Sequence, residues 1–261
     1  MPELPEMTAY REKIAGAFEG ATLVECEFTP DCKLDAPAEA VTAAIRGAQL
    51  SQVERNGKEL FLHFATGDTV AVHLMLGGRF NVAPIEDEPP DTRVATFKFD
   101  NGKALYVRDR DAWARIKFNP EAPKAPDALS SELNAEYLKK RLARSRKAIK
   151  AFLTDQDRVR GIGNAYSDEI LWASRVAPQS TCNKVPDEAV EALAEAIHEV
   201  LAEAVENVCA LDDPSDYRKA RLRDLKVHNH TREFSPGGAK IQTGEVSKSK
   251  TYFTDEQVLY S

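Results

Sequence analysis

The chain has 261 residues, 43% of them hydrophobic and 30% charged, which is room for two ordinary domains with separate cores. No stretch approaches the apolar length that spans a bilayer, and no basic stretch followed by an apolar run opens the chain, so no membrane partner and a cytoplasmic location are expected. The net charge of −7 excludes a uniformly basic surface but not a local one.

In chain order, Met7, Tyr10, Ile14 and Phe18 fall at helical spacing, and Gly20 stands where a helix would stop. Strand-like runs follow at Thr22–Phe28, Leu50–Arg55, Glu59–Phe64, Thr69–Leu76, Val94–Phe99, Ala104–Val107 and Arg115–Phe118. Asn56-Gly57 and Asn101-Gly102 between such runs signal tight hairpins. An antiparallel β-sandwich over residues 1–122 is the natural assembly. Prolines between Pro120 and Pro126 then interrupt regular structure. Helices are predicted over Ala135–Leu153, Ala165–Ser174, Asp187–Cys209 and Tyr217–Leu225, giving a helical domain over 132–225. The tail, 226–261, carries Pro236-Gly237-Gly238, alternating Ile241 and Val246, and the pair Tyr252 and Phe253, which suggest a small hairpin. The fold class is α+β.

Charge is unevenly distributed. KKRLARSRKAIK, Lys139 to Lys150, holds seven basic residues, Arg146, Lys147 and Lys150 among them, and no acidic one, whereas Asp187–Glu206 is strongly acidic. Such a basic face suits phosphate. The four cysteines, Cys26, Cys32, Cys182 and Cys209, have no close pairing, so neither a disulfide framework nor a thiolate metal site is expected. Removal of Met1 would leave Pro2 as a terminal secondary amine followed by Glu3 and Glu6. An α-amino group titrates near pH 8, so part of it is neutral and nucleophilic at cellular pH. Pro2 read alone fits a helix-initiating proline better. RVRGIGNAYSDEILW, Arg158–Trp172, places two glycines before Asn164 and a new helix. That segment reads either as a phosphate site at a helix N-terminus or as a tight turn with an Asn cap. The basic run before it favours DNA-backbone binding.

Taken together, MPELPE, NGKELFLHF, HLMLGGRF and GIGNAYSDEILW resemble the formamidopyrimidine-DNA glycosylase and endonuclease VIII family over nearly the whole chain. The resemblance implies a β-sandwich joined to a helix-two-turn-helix domain. It implies a monomeric glycosylase and AP lyase acting on oxidised bases in damaged double-stranded DNA, nucleoid-associated if bacterial, without a cofactor. Pro2 would form a Schiff base with C1′, Glu3 would be the acid/base for ring opening, Lys58 would contact phosphate near the lesion and Asn164 would hold backbone phosphate. A base extruded from a duplex leaves space that side chains must fill. Leu76 stands where relatives often carry Met. Trp113 stands at the aromatic of a second loop, and its own sequence setting leaves wedge and core roles open. There the family's Asp-Pro-Arg-Arg-Phe-Gly is replaced by Asp109-Arg110-Asp111-Ala112-Trp113-Ala114, which leaves opposite-base preference open.

The tail departs further. Most bacterial relatives carry a four-cysteine zinc finger there, but this chain has no cysteine after Cys209, so the resemblance is to the zincless-finger type and no metal is expected. His228 and His230 are read as surface or DNA-facing. Lys248 and Lys250 occupy the neighbourhood of the family's finger arginine; neither offers a forked guanidinium, so β-elimination is better supported than δ-elimination. A noncatalytic protein that binds damage or abasic sites is the rival reading.

Overall fold

Helix α1 (Leu4–Phe18) buries Met7, Tyr10, Ile14 and Phe18 on one face, as their spacing predicts, and Gly20 beyond it takes φ +85. The computed structural model describes all residues, Met1–Ser261, and divides into two units: Met1–Pro2 with Glu6–Ala122, and Glu3–Pro5 with Pro123–Ser261.

The first unit is a two-sheet sandwich. Its strands are β1 (Leu23–Phe28), β2 (Lys33–Leu34), β3 (Leu50–Asn56), β4 (Glu59–Phe64), β5 (Thr69–His73), β6 (Arg79–Pro84), β7 (Arg93–Phe99), β8 (Lys103–Arg108) and β9 (Arg115–Phe118), with helix α2 (Ala38–Ile45) after β2. One sheet runs β1-β7-β8-β6 and the other β2-β9-β5-β4-β3, antiparallel except for β2 against β9. Phe97, Phe99, Leu60, Leu62, Val70 and Val72 share one core with α1 and with Val41 and Ile45 of α2. The pattern missed β2, α2 and β6. Strand β6 lies at a sheet edge and buries only Phe80, so its alternation is weak. Pairing of Asn56 with Glu59 makes Gly57-Lys58 the turn centre, with only Gly57 at positive φ, +60. The hairpin at Asn101-Gly102 is instead a longer loop, again with its glycine alone at positive φ, Gly102 at +78.

The second unit holds α3 (Ala135–Leu142), α4 (Ile149–Leu153), α5 (Asn164–Ala173), α6 (Asp187–Cys209), α7 (Tyr217–Asp224) and the antiparallel pair β10 (Gln242–Val246) and β11 (Ser249–Phe253). Asn134 caps α3 by accepting from the Tyr137 amide at 3.0 Å. The predicted helix over Ala135–Leu153 is two helices, because Ala143–Ala148 leave the helical path. Apolar faces of α3, α4, α5 and α6 share one core that includes Leu138, Phe152, Ile170, Leu193 and Ile197. The hairpin clusters with these helices rather than standing apart, and Glu3–Pro5 join them, although the sequence reading places both segments elsewhere.

Candidate active site

The geometry begins with Glu3. The Leu4 amide donates to Gly161 O at 3.1 Å, and the Leu4 side chain sits in the helical core. Gly161, at φ +106, lies so close to Leu4 that a side chain there would strike it. Gln156 braces the turn: its Nε2 donates to Thr154 O and Ile162 O, each at 2.9 Å, and its Oε1 accepts from Gly161 N at 3.0 Å. This turn delivers the Glu3 carboxylate to the start of α5. Oε2 accepts from Gly163 N at 2.7 Å and from Tyr166 N at 3.4 Å, and Oε1 accepts from Ala165 N at 3.0 Å. Gly163 is bare because a methyl there would collide with the Glu3 carboxyl. The helix N-terminus favours the anionic carboxylate, which is only 2% exposed. Pro2, one peptide bond away, is also buried.

Asn164 is not an N-cap. Gly163 occupies that position without a side-chain bond, and Asn164 begins the helix. Its Nδ2 donates to Lys250 O at 3.0 Å, while its buried Oδ1 has no hydrogen-bond partner.

The basic run divides into different fates. Arg144, Arg146 and Lys147 are exposed, Lys147 pairing with Asp155 at 3.1 Å, and Lys139 is taken by Glu191 at 2.6 Å. Lys150 must be corrected. It is 1% exposed, and its Nζ donates to Asp168 Oδ1 at 2.6 Å, Thr251 Oγ1 at 2.9 Å and Lys250 O at 3.3 Å. Burial draws its pKa below the usual lysine value, against the opposing pull of Asp168. Such an ammonium is a structural tie, not a surface phosphate contact. His228 is corrected as well: its Nδ1 lies 2.7 Å from Asp168 Oδ2 and its ring packs edge-on against Tyr252, whereas His230 is exposed.

Sequence reasoning missed how α5 holds the tail. Asp168 Oδ2 accepts from Tyr252 N at 3.0 Å, and Glu169 accepts from the amides of Lys226, Val227 and His228 at 2.6–2.8 Å. Trp172 Nε1 donates to Glu256 Oε2 at 2.8 Å. Glu256 also receives Ser235 Oγ, Thr254 Oγ1 and Arg175 Nη1, and hydrogen bonds from Trp172, Arg175 and Ser235 draw its pKa down to about 2. The one legible signal was the adjacent acid pair Asp168-Glu169 inside an otherwise uncharged helix. Lys248 and Lys250 are both exposed; Lys248 occupies the β10–β11 turn at φ +65, and the Lys250 ammonium lies 4.9 Å from the Tyr252 ring centre.

In the first unit, Lys58 at the β3–β4 turn is buried rather than a solvated turn lysine. Leu76 is 55% exposed and Trp113 48% exposed, so Trp113 is not a core residue. The Trp113 loop closes on Asp109, whose carboxylate accepts from the amides of Trp113 and Ala114, each at 2.7 Å, and of Asp111 at 3.2 Å. The Leu76 loop closes on His73, whose Nδ1 accepts from Met75 N at 2.9 Å. Burial lowers the His73 pKa to about 4, which keeps that nitrogen free to accept.

Comparison with known proteins reaches the same sequence features. Residues 1–116 match the model of the formamidopyrimidine-DNA glycosylase N-terminal domain, and residues 125–211 that of the formamidopyrimidine-DNA glycosylase H2TH domain. The chain belongs to the formamidopyrimidine-DNA glycosylase family. The formamidopyrimidine-DNA glycosylase of Bacillus licheniformis is 34% identical over 79% of this chain and 78% of its own length; that of Chloroflexus aurantiacus is 32% identical over 97% and 96%. The Lactococcus lactis Fpg solved in complex with abasic-site DNA shares the fold, with a TM-score of 0.88 at 22% identity, covering 98% of this chain and 99% of that one. Within this family the tail is of the zincless type. Its residues do not fit a zinc site, since it has no cysteine and no group of three His, Cys, Asp or Glu side chains suited to a metal. Hydrogen bonds to Asp168, Glu169 and Glu256 tie it down instead.

Proposed function

We propose that this chain is a DNA glycosylase and AP lyase that excises oxidised bases from duplex DNA, acting as a monomer through a Schiff base on Pro2. Family membership supports the activity class. The observation that carries the residue assignment is the seat of Glu3, a carboxylate held by three amides at the α5 N-terminus directly after Pro2 in the chain.

The chemistry follows from these groups. With Met1 removed, the Pro2 nitrogen attacks C1′ of the damaged nucleotide and forms the N–C1′ bond as the bond from C1′ to the base breaks; the base leaves with a proton from water, and the Pro2 N–H proton passes to the Glu3 carboxylate. Glu3 passes a proton to the ring oxygen, opening the sugar to an iminium. The iminium accepts electrons as C2′ loses a proton, the C3′–O3′ bond breaks, and water then hydrolyses the iminium to free Pro2. Lys58 contacts phosphate beside the lesion and assists elimination. Asn164, Arg146, Lys147, Lys248 and Lys250 bind the DNA backbone. Leu76 and Trp113, exposed on loops fixed by His73 and Asp109, fill the space left by the extruded base.

The test is borohydride trapping on duplexes carrying an abasic site, an oxidised purine or an oxidised pyrimidine. The native protein should give a covalent adduct that is lost in Pro2→Gly and in an N-terminally extended form, and the substrate dependence identifies the lesion class. Tight DNA binding without an adduct would favour a noncatalytic damage binder.

A further inference from the structure

Helix α7 carries four basic residues. Arg218, Lys219 and Arg223 are exposed, but the Arg221 side chain is only 14% exposed. Its guanidinium carbon lies 5.1 Å from the ring centre of Tyr166 and 5.2 Å from that of Tyr217, within cation–π range of both. Its Nη2 lies 3.8 Å from Glu3 Oε1. Two aromatic contacts restrict a side chain that is otherwise rich in rotamers, so this cation is held beside Glu3 rather than arriving by chance. Tyr166 serves twice, since its own amide donates to the same carboxylate.

We propose that Arg221 is a positioning residue for Glu3, holding the carboxylate anionic and in one orientation as the reaction begins. The inference rests on the reading of Glu3 as the acid/base. Among the charged groups on the neighbouring elements, Arg221 comes from α7, Lys150 from α4 acts on Glu3 electrostatically, Glu6 is a second buried acid on α1, and Asp168 and Glu169 of α5 are engaged by Lys150, His228 and the 226–228 amides. An opposite charge at this range favours the charged form of a carboxyl by about one to three pH units. A carboxylate that starts anionic takes up a proton before it delivers one, so the reactive form of Glu3 is deprotonated. Loss of the Arg221 charge then moves the Glu3 titration, and with it the acid limb of Schiff-base formation, to higher pH.

The experiment has two readouts on the folded full chain. In the first, the Glu3 carboxyl carbon, assigned by its absence in Glu3→Gln, is titrated by NMR in the native protein, Arg221→Ala and Arg221→Lys. Arg221→Ala should raise its midpoint by about one to three pH units, and Arg221→Lys by less. In the second, single-turnover trapping on an abasic duplex is followed across pH for the same proteins, and the acid limb should move with the NMR midpoint. Melting temperatures check folding, and Tyr217→Leu, which removes one ring and keeps the charge, gives a smaller shift if Arg221→Ala fails to fold. An unchanged Glu3 midpoint in the folded variants overturns the inference, whatever happens to the rate. A shifted midpoint with no adduct in the native protein overturns the Schiff-base reading instead, so the two failures are distinct.

Discussion

Lys150 and Asp168 are 1% and 0% exposed at their side chains, with Nζ to Oδ1 at 2.6 Å, so removing either leaves the other as a charge with no access to water. Taking away one member of a buried pair costs about 3–5 kcal/mol. At about 2–4 °C per kcal/mol for a unit of this size, Lys150→Met should lower the melting temperature by roughly 6–20 °C. Asp168→Asn should cost a similar amount, because the amide keeps one acceptor for Tyr252 N but strands the ammonium. The double variant removes both charges and should cost less than the sum by at least about 2 kcal/mol. Denaturant titration reports this cleanly in a Trp113→Phe background, where Trp172 is the remaining tryptophan and lies in the same unit as the pair. The same variants decide what Lys150 does with DNA. A phosphate contact would add about 0.9 to the slope of log affinity against log salt. Lys150→Met should leave that slope unaltered. A folded Lys150→Met of native stability with a slope reduced by about 0.9 would refute the reasoning and return Lys150 to the DNA surface.

Three further outcomes are expected. Gly163 has φ −122, where any residue fits, so Gly163→Ala acts only by pushing the Glu3 carboxyl aside; displacement of about 1 Å costs about a hundredfold in rate, and undiminished single-turnover excision would contradict the seat described for Glu3. The Glu256 carboxyl has its pKa lowered from 4.5 to about 2, so its contribution to stability is present above about pH 4.5 and disappears as pH falls through 2; denaturant titrations between pH 2 and 6 should show a shallower acid loss in Glu256→Gln, and parallel curves would rule out the anchor. Asp109→Ala strips the Trp113 loop of three amide partners and should cost about 1–3 kcal/mol as well as lesion affinity, whereas Trp113→Ala, which shortens an exposed ring, should change stability by less than about 0.5 kcal/mol and still weaken lesion binding; equal stability losses in the two would mean Trp113 is a packing residue.

What the sequence determined by itself is whatever depends on residues near one another in the chain. The apolar spacing of Met7, Tyr10, Ile14 and Phe18 defined the buried face of α1, and α6 runs over Asp187–Cys209 as its pattern predicts, because periodicity reports directly which face meets a core. The adjacency of Pro2 and Glu3 and the Gly161–Asn164 run were legible for the same reason. Only the tertiary structure decided the fate of individual charges. Nothing local in KKRLARSRKAIK distinguishes exposed Arg146 from buried Lys150, whose partners stand 18 and 101 residues further on. Likewise, Arg221 is one basic residue among several on a polar helix until folding sets it between Tyr166 and Tyr217, beside a glutamate at the other end of the chain. Charge identity is written in the sequence, but its partner, and therefore whether it binds, braces or positions, is set by burial and distance, which only the folded chain defines.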